Sequence, residues 1–120
     1  MPRDQPGRVI RDAVDEQDVE ESLEYLLSTA EEAARAVALV ETAEDNLRRV
    51  RASVVLTSEE RSQDRREAEG LTSAAYERAL KAREEAITRK VTLQHMRRYH
   101  ELRIEVWRTF QANQRQGSRV

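Results

Sequence analysis

Residues 19–40, VEESLEYLLSTAEEAARAVALV, decide the fold of this 120-residue chain. Val19, Leu23, Leu26, Ala30, Ala33, Val37 and Val40 follow one another in alternating steps of four and three, the spacing of a heptad seam on an α-helix. After Val40 a step of three to Ala43 shifts the phase, and the stripe resumes at Leu47, Val50 and Val54. Such a step reads as a stammer, which overwinds a coiled coil locally. No proline or glycine lies between residues 15 and 56. One helix over about 15–56 is therefore expected, near 60 Å long at about 1.5 Å per residue. Asp15, Glu16 and Asp18 place negative charge at its first turn, where the unpaired amides favour it.

Outward from this helix the chain changes character. Residues 1–14 hold both prolines and one of the three glycines without periodicity, and read as a flexible N-terminal arm. Residues 57–71, beginning TSEERSQDRREAEG, form a polar connector whose first 14 residues contain one apolar residue, Ala68. Thr57 and Glu60 have capping-box spacing, which suits a short solvated helix in the connector, Gly70 suits a chain reversal, and Thr72 or Ser73 offers a new N-cap. A second helix follows over about 72–116, with Gly117 as its stop and residues 117–120 as a tail. Two helices of similar length around a polar connector predict an all-α, coiled-coil-like antiparallel hairpin over residues 15–116.

The second helix has a mixed pattern. Tyr76, Ala79, Ala86, Leu93, His100, Ile104 and Trp107 share a row with Arg83, Lys90 and Arg97, which a strict seam would make apolar. Leu80, Ile87 and Val91 start another row, and Met96, Tyr99, Leu102, Val106 and Phe110 widen the apolar surface near the end. Such a helix meets more than one neighbour. With 37% charged and 4% aromatic residues, little material remains for a closed monomeric core. Assembly into an oligomeric bundle or ring is expected, with Leu23, Leu26, Val37, Val40, Leu47, Tyr76, Leu93, Ile104 and Trp107 as candidate interface residues.

Charge divides along the same lines. Residues 1–56 carry seven Lys/Arg against thirteen Asp/Glu, whereas residues 71–120 carry eleven against five. The basic helix therefore either pairs with the acidic one or faces an external anion. Its candidate nucleic-acid contacts are Lys81, Arg83, Arg89, Lys90, Arg97, Arg98, Arg103, Trp107 and Arg108, because arginine forks suit phosphates and rings among cations suit unpaired bases. His95 and His100 point about 140° apart on a helix and read as polar or interface residues, not a metal pair. No glycine-rich phosphate loop or nucleophile elbow occurs, so an enzyme is not expected, nor is a cofactor or metal. The chain has no cysteine, no membrane-length apolar run and no signal-peptide pattern, which predicts a cytoplasmic protein.

The helix-connector-helix plan, the SAAYERAL start of the second helix and its LRIEVWRTFQANQR ending resemble small helical bacteriophage recombination proteins of the UvsY mediator type. The resemblance covers about residues 20–115. It implies an oligomer in the host cytoplasm that binds single-stranded DNA and helps load a recombinase onto strands coated by single-strand-binding protein. Lys81, Arg83, Arg89, Lys90, Arg97, Arg98, Arg103, Trp107 and Arg108 would then contact DNA as a class. The competing expectation is a structural or protein-interaction coiled coil, a scaffold, adaptor or inhibitor, without any nucleic-acid role.

Overall fold

Helix propensity and the absence of internal breakers govern the architecture. The computed structural model describes residues 14–118 and contains three helices, α1 (Glu16–Thr57), α2 (Gln63–Thr72) and α3 (Ala74–Ser118), with no strand among the described residues. The expected arm over residues 1–14 lies, except for Val14, outside the described residues, as do residues 119 and 120 of the expected tail.

At the start of α1 two carboxylates satisfy amides that the helix leaves unpaired. Asp18 N–H donates to Asp15 Oδ1 at 2.8 Å, and Asp15 N–H donates to Asp18 Oδ2 at 3.1 Å. The arrangement is a capping box with aspartate in both places. The other end of α1 corrects an expectation. Thr57 stays inside the helix with its hydroxyl on the Ser53 carbonyl at 2.8 Å, so it caps nothing in the connector. Ser62 is the cap of α2 instead, accepting the Arg65 amide at 3.1 Å.

The chain divides into two units, one formed by Met1–Ala30 with Gln94–Val120 and the other by Glu31–Leu93. In the first, α1 and α3 run antiparallel: Asp18 meets Arg103, Ser22 meets His100, and Leu26 meets Arg97. Val19 and Ile104 are its buried apolar residues, and Ser22 is wholly buried beside them. In the second, Glu32 meets Arg89, Glu44 meets Arg83, and Gly70 packs against Arg51 and Val55, again antiparallel. Its buried side chains are small: Ala36, Val40, Ala79 and Ala86.

The connector forms the short helix its sequence allowed, α2, but the turn is placed elsewhere than expected. The reversal falls between Thr57 and Gln63, not at Gly70. Gly70 is a buried helical residue of α2, and no described residue has positive φ. What Gly70 supplies is proximity, because a Cβ there would lie 3.1 Å from Val55 Cγ2. Ser73 then breaks the helix with an extended backbone, φ −66° and ψ 149°, and caps α3 by accepting the Tyr76 amide at 3.1 Å. Gly117 also departs from expectation: it lies within α3, which continues to Ser118, and stops nothing.

Exposure along α1 corrects the seam as well. The buried and half-buried residues include an unbroken heptad row, 19, 22, 26, 29, 33, 36, 40, 43, 47, 50 and 54. Leu23 (45% exposed) and Val37 (40%) lie outside it, their places taken by Ser22 and Ala36. There is no phase shift at Ala43. The stammer arises only when Leu23, Ala30 and Val37 are favoured over Ser22, Thr29 and Ala36 beside them. On α3 the row 76, 79, 83, 86, 90, 93, 97, 100, 104 and 107 is buried or half-buried throughout, with Arg83, Lys90 and Arg97 inside it.

Candidate functional site

The sequence marks the basic face of α3 as the place to look, and the structure distributes its cations unevenly. Four of the nine candidate residues reach across to α1. Arg97 Nη1 donates to the Leu26 carbonyl at 2.8 Å and to Thr29 Oγ1 at 2.7 Å. Arg103 pairs with Asp18 at 2.5 Å, their side chains only 16% and 12% exposed. Within the middle unit Arg89 pairs with Glu32 at 3.1 Å and Arg83 with Glu44 at 3.6 Å.

The remaining candidates face outward or stand apart. Arg98 meets Glu101 at 3.2 Å and Glu105 at 3.6 Å on its own helix. Lys81 and Arg108 are exposed, and Lys90 and Trp107 half-buried. No carboxylate lies within 4 Å of Lys81, Lys90 or Arg108 among the described residues. The nine residues thus differ in what each one meets within its unit.

The candidate interface residues also separate. Val40 and Ile104 are buried within the chain, Leu26, Leu47, Tyr76, Leu93 and Trp107 are half-buried, and Leu23 and Val37 are exposed. Outer faces left open include Leu27 (80% exposed) on α1 and Met96, Tyr99, Leu102 and Val106, each 43–50% exposed, on α3. Exposed aliphatic groups at such density mark contact surfaces more often than solvated ones.

Sequence reasoning missed a polar cluster in the terminal unit. His100 Nδ1 hydrogen bonds with Ser22 Oγ at 2.9 Å, its ring stacks on Tyr25 at 4.2 Å, and Tyr99 meets it edge-on at 5.0 Å. The Arg103 guanidinium sits 5.5 Å from the Tyr99 ring centre. Burial holds the His100 pKa below its ordinary value of 6.5, Arg103 adds to that, and Glu21 opposes it. Ser22 and Thr29 are seven apart on α1, but nothing in that spacing names His100 or Arg97 as their partners.

The sign of the pH effect follows. A proton binds the unfolded His100 more readily than the folded one, so the contribution is present above pH 6.5 and is lost as pH falls through the lower folded value. Thermal melts by circular dichroism at pH 8 and pH 5.5 will show a fall for the natural chain. The fall will be smaller for His100→Gln, and equal falls would exclude this origin.

Among the described residues no group of three or more His, Asp or Glu is placed to hold a metal ion, and no helix is long and apolar enough to cross a membrane. The chain matches no known protein family, no curated protein and no solved structure. One open depression on α3 is lined by Lys81, Glu84, Glu85, Thr88 and Arg89, and another, between α1 and α3 in the middle unit, has mostly uncharged walls that include Leu39, Ala43, Ala82 and Ala86. Chemically, the arrangement offers helix faces for other helices and scattered cations for anions.

Proposed function

We propose that the chain is a non-enzymatic protein-interaction module, a long antiparallel hairpin whose outer faces meet further helices in a bundle. One observation carries this reading: Arg83, Arg89, Arg97 and Arg103 are engaged with α1. A guanidinium with a carboxylate or carbonyl already in its fork must give up that bond before it can hold a phosphate. These four arginines therefore serve arm pairing, and the exposed Val91, Met96, Tyr99, Leu102 and Val106 of α3 serve association.

The reading taken from the family resemblance, a single-stranded-DNA-binding accessory that helps load a recombinase, rests on the candidates Lys81, Lys90 and Arg108, which have no carboxylate within 4 Å among the described residues, together with Trp107. Three cations per chain give weak, strongly salt-dependent binding unless several copies act together. Fluorescence anisotropy with a labelled single-stranded oligonucleotide separates the two. At low ionic strength the interaction module leaves anisotropy flat, whereas binding that weakens steeply with added salt would overturn it in favour of the DNA reading.

A further inference from the structure

We infer that the outer face of α3 around Leu102 is the interface for a second copy of this chain, packed antiparallel about a two-fold axis. The inference rests on the interaction-module reading and names its partner.

The argument starts from helix geometry. Each residue advances about 100°, so Tyr99 and Val106 lie about 60° and 40° to one side of Leu102, while Arg98 and Glu105 lie about 40° and 60° to the other. Leu102 is 43% exposed, Tyr99 50% and Val106 49%. The face therefore has an apolar flank, a charged flank and a leucine between them. All five residues belong to one unit of the chain.

A two-fold axis perpendicular to an antiparallel helix pair brings like flank against like flank and reverses the order along the axis. Centred on Leu102, it sets Leu102 against the second copy's Leu102. Tyr99 then meets the second copy's Val106 and Arg98 meets its Glu105, each contact occurring twice. Ring packs on branched aliphatic group, and cation meets anion. Few unrelated surfaces would satisfy both flanks at once, which is why a second copy is the occupant. In the isolated chain Arg98 bonds Glu101 and Glu105 with all three side chains 46–57% exposed, so redirecting these pairs across the axis sacrifices little.

The absence of cysteine from the sequence allows a clean test on the full chain. Leu102→Cys is expected to form a disulfide-linked dimer under mild oxidation, because the axis places this position against itself. Arg108→Cys, which lies about 120° around the helix, is not. Sedimentation equilibrium of the natural chain should give a dimer, and Leu102→Glu should weaken it by about two orders of magnitude, with two carboxylates forced together at the axis.

Charge exchange is the sharpest arm. Arg98→Glu and Glu105→Arg should each impair dimerisation alone, while an equimolar mixture of the two variants recovers it, because every facing pair is then opposite in sign. Mixing cannot restore a pair within one chain. A monomeric natural chain, equal crosslinking by both cysteine variants, or no recovery on mixing each overturns the inference. Salt-sensitive oligonucleotide binding would instead overturn the interaction-module reading, so the two failures are distinguishable.

Discussion

Replacing Asp18 with alanine is expected to lower the stability of the folded chain by about 3 kcal/mol, seen in a thermal melt as a fall of roughly 10 °C. Two losses combine. Asp18 Oδ2 accepts the Asp15 amide at the start of α1, and an N-terminal cap contributes about 1 kcal/mol. Its Oδ1 meets Arg103 at 2.5 Å with both side chains largely out of water. Removing the carboxylate leaves the guanidinium with Glu21, at 3.9 Å, as its remaining carboxylate partner among the described residues, beside the Tyr99 ring. Asp18→Asn, which retains an acceptor for the amide but not the charge, should fall between the two.

A second short ion pair supplies the contrast. Arg35 and Glu31 are also 2.5 Å apart, but their side chains are 78% and 77% exposed. Arg35→Ala should therefore change stability by only about 0.3 kcal/mol. If the two substitutions have equal effects, burial is not what gives the Asp18–Arg103 pair its weight.

Ala86→Leu is the other large expected effect, a loss of about 2–3 kcal/mol. Ala86 is 4% exposed in a unit whose other buried apolar side chains are Ala36, Val40 and Ala79. Alanines allow α1 and α3 to approach closely, and three added heavy atoms have no space to fill between them. Leucine is nearly as good a helix former as alanine, so the loss would come from packing and not from backbone preference. Ala82→Leu, at an exposed position four residues away, should leave the melt nearly unchanged. Comparable losses at both sites would point to a general intolerance of α3 instead of a tight seam.

Helix content and the extent of the long helices were legible because they depend on local rules. An unbroken run from residue 15 to 56 without proline or glycine, with acids at its head, predicts what α1 is. Most of its seam was also readable: Val19, Leu26, Ala33, Val40, Ala43, Leu47, Val50 and Val54 are apolar and turned inward. The places of Ser22, Thr29 and Ala36 were not. A serine at position 22 is worth burying only because His100, 78 residues away, hydrogen bonds with it. Thr29 likewise belongs to the seam because Arg97 donates to it. Local pattern cannot reveal a polar group's distant partner, so Leu23 and Ala30 looked like better choices, and Val37 beside Ala36 followed from the same spacing.

The short helix of the connector was legible, but its docking was hidden for a related reason. A search for apolar side chains sees nothing in residues 57–70 beyond Ala68, yet α2 docks on α1 through a residue that has no side chain at all. The cations of the α3 row were left between two outcomes, acidic partners or phosphates. Arg83 takes the first, while Arg97 takes neither and donates to a backbone carbonyl and a hydroxyl. Sequence framed that choice without containing the backbone oxygen that resolved it.

The uninterrupted seven-residue row of α1 carries a hazard that its polar members counter. Sliding one arm past the other by two helical turns would lay one set of valines, leucines and alanines where another had been, so hydrophobic burial alone barely distinguishes the correct alignment from its neighbours. Ser22 with His100, and Thr29 with Arg97, find each other in one alignment only. Any slipped hairpin would enclose an unmatched guanidinium or imidazole. These layers act as locating pins during the folding search, giving up some burial so that a repetitive helix pair closes in a single place.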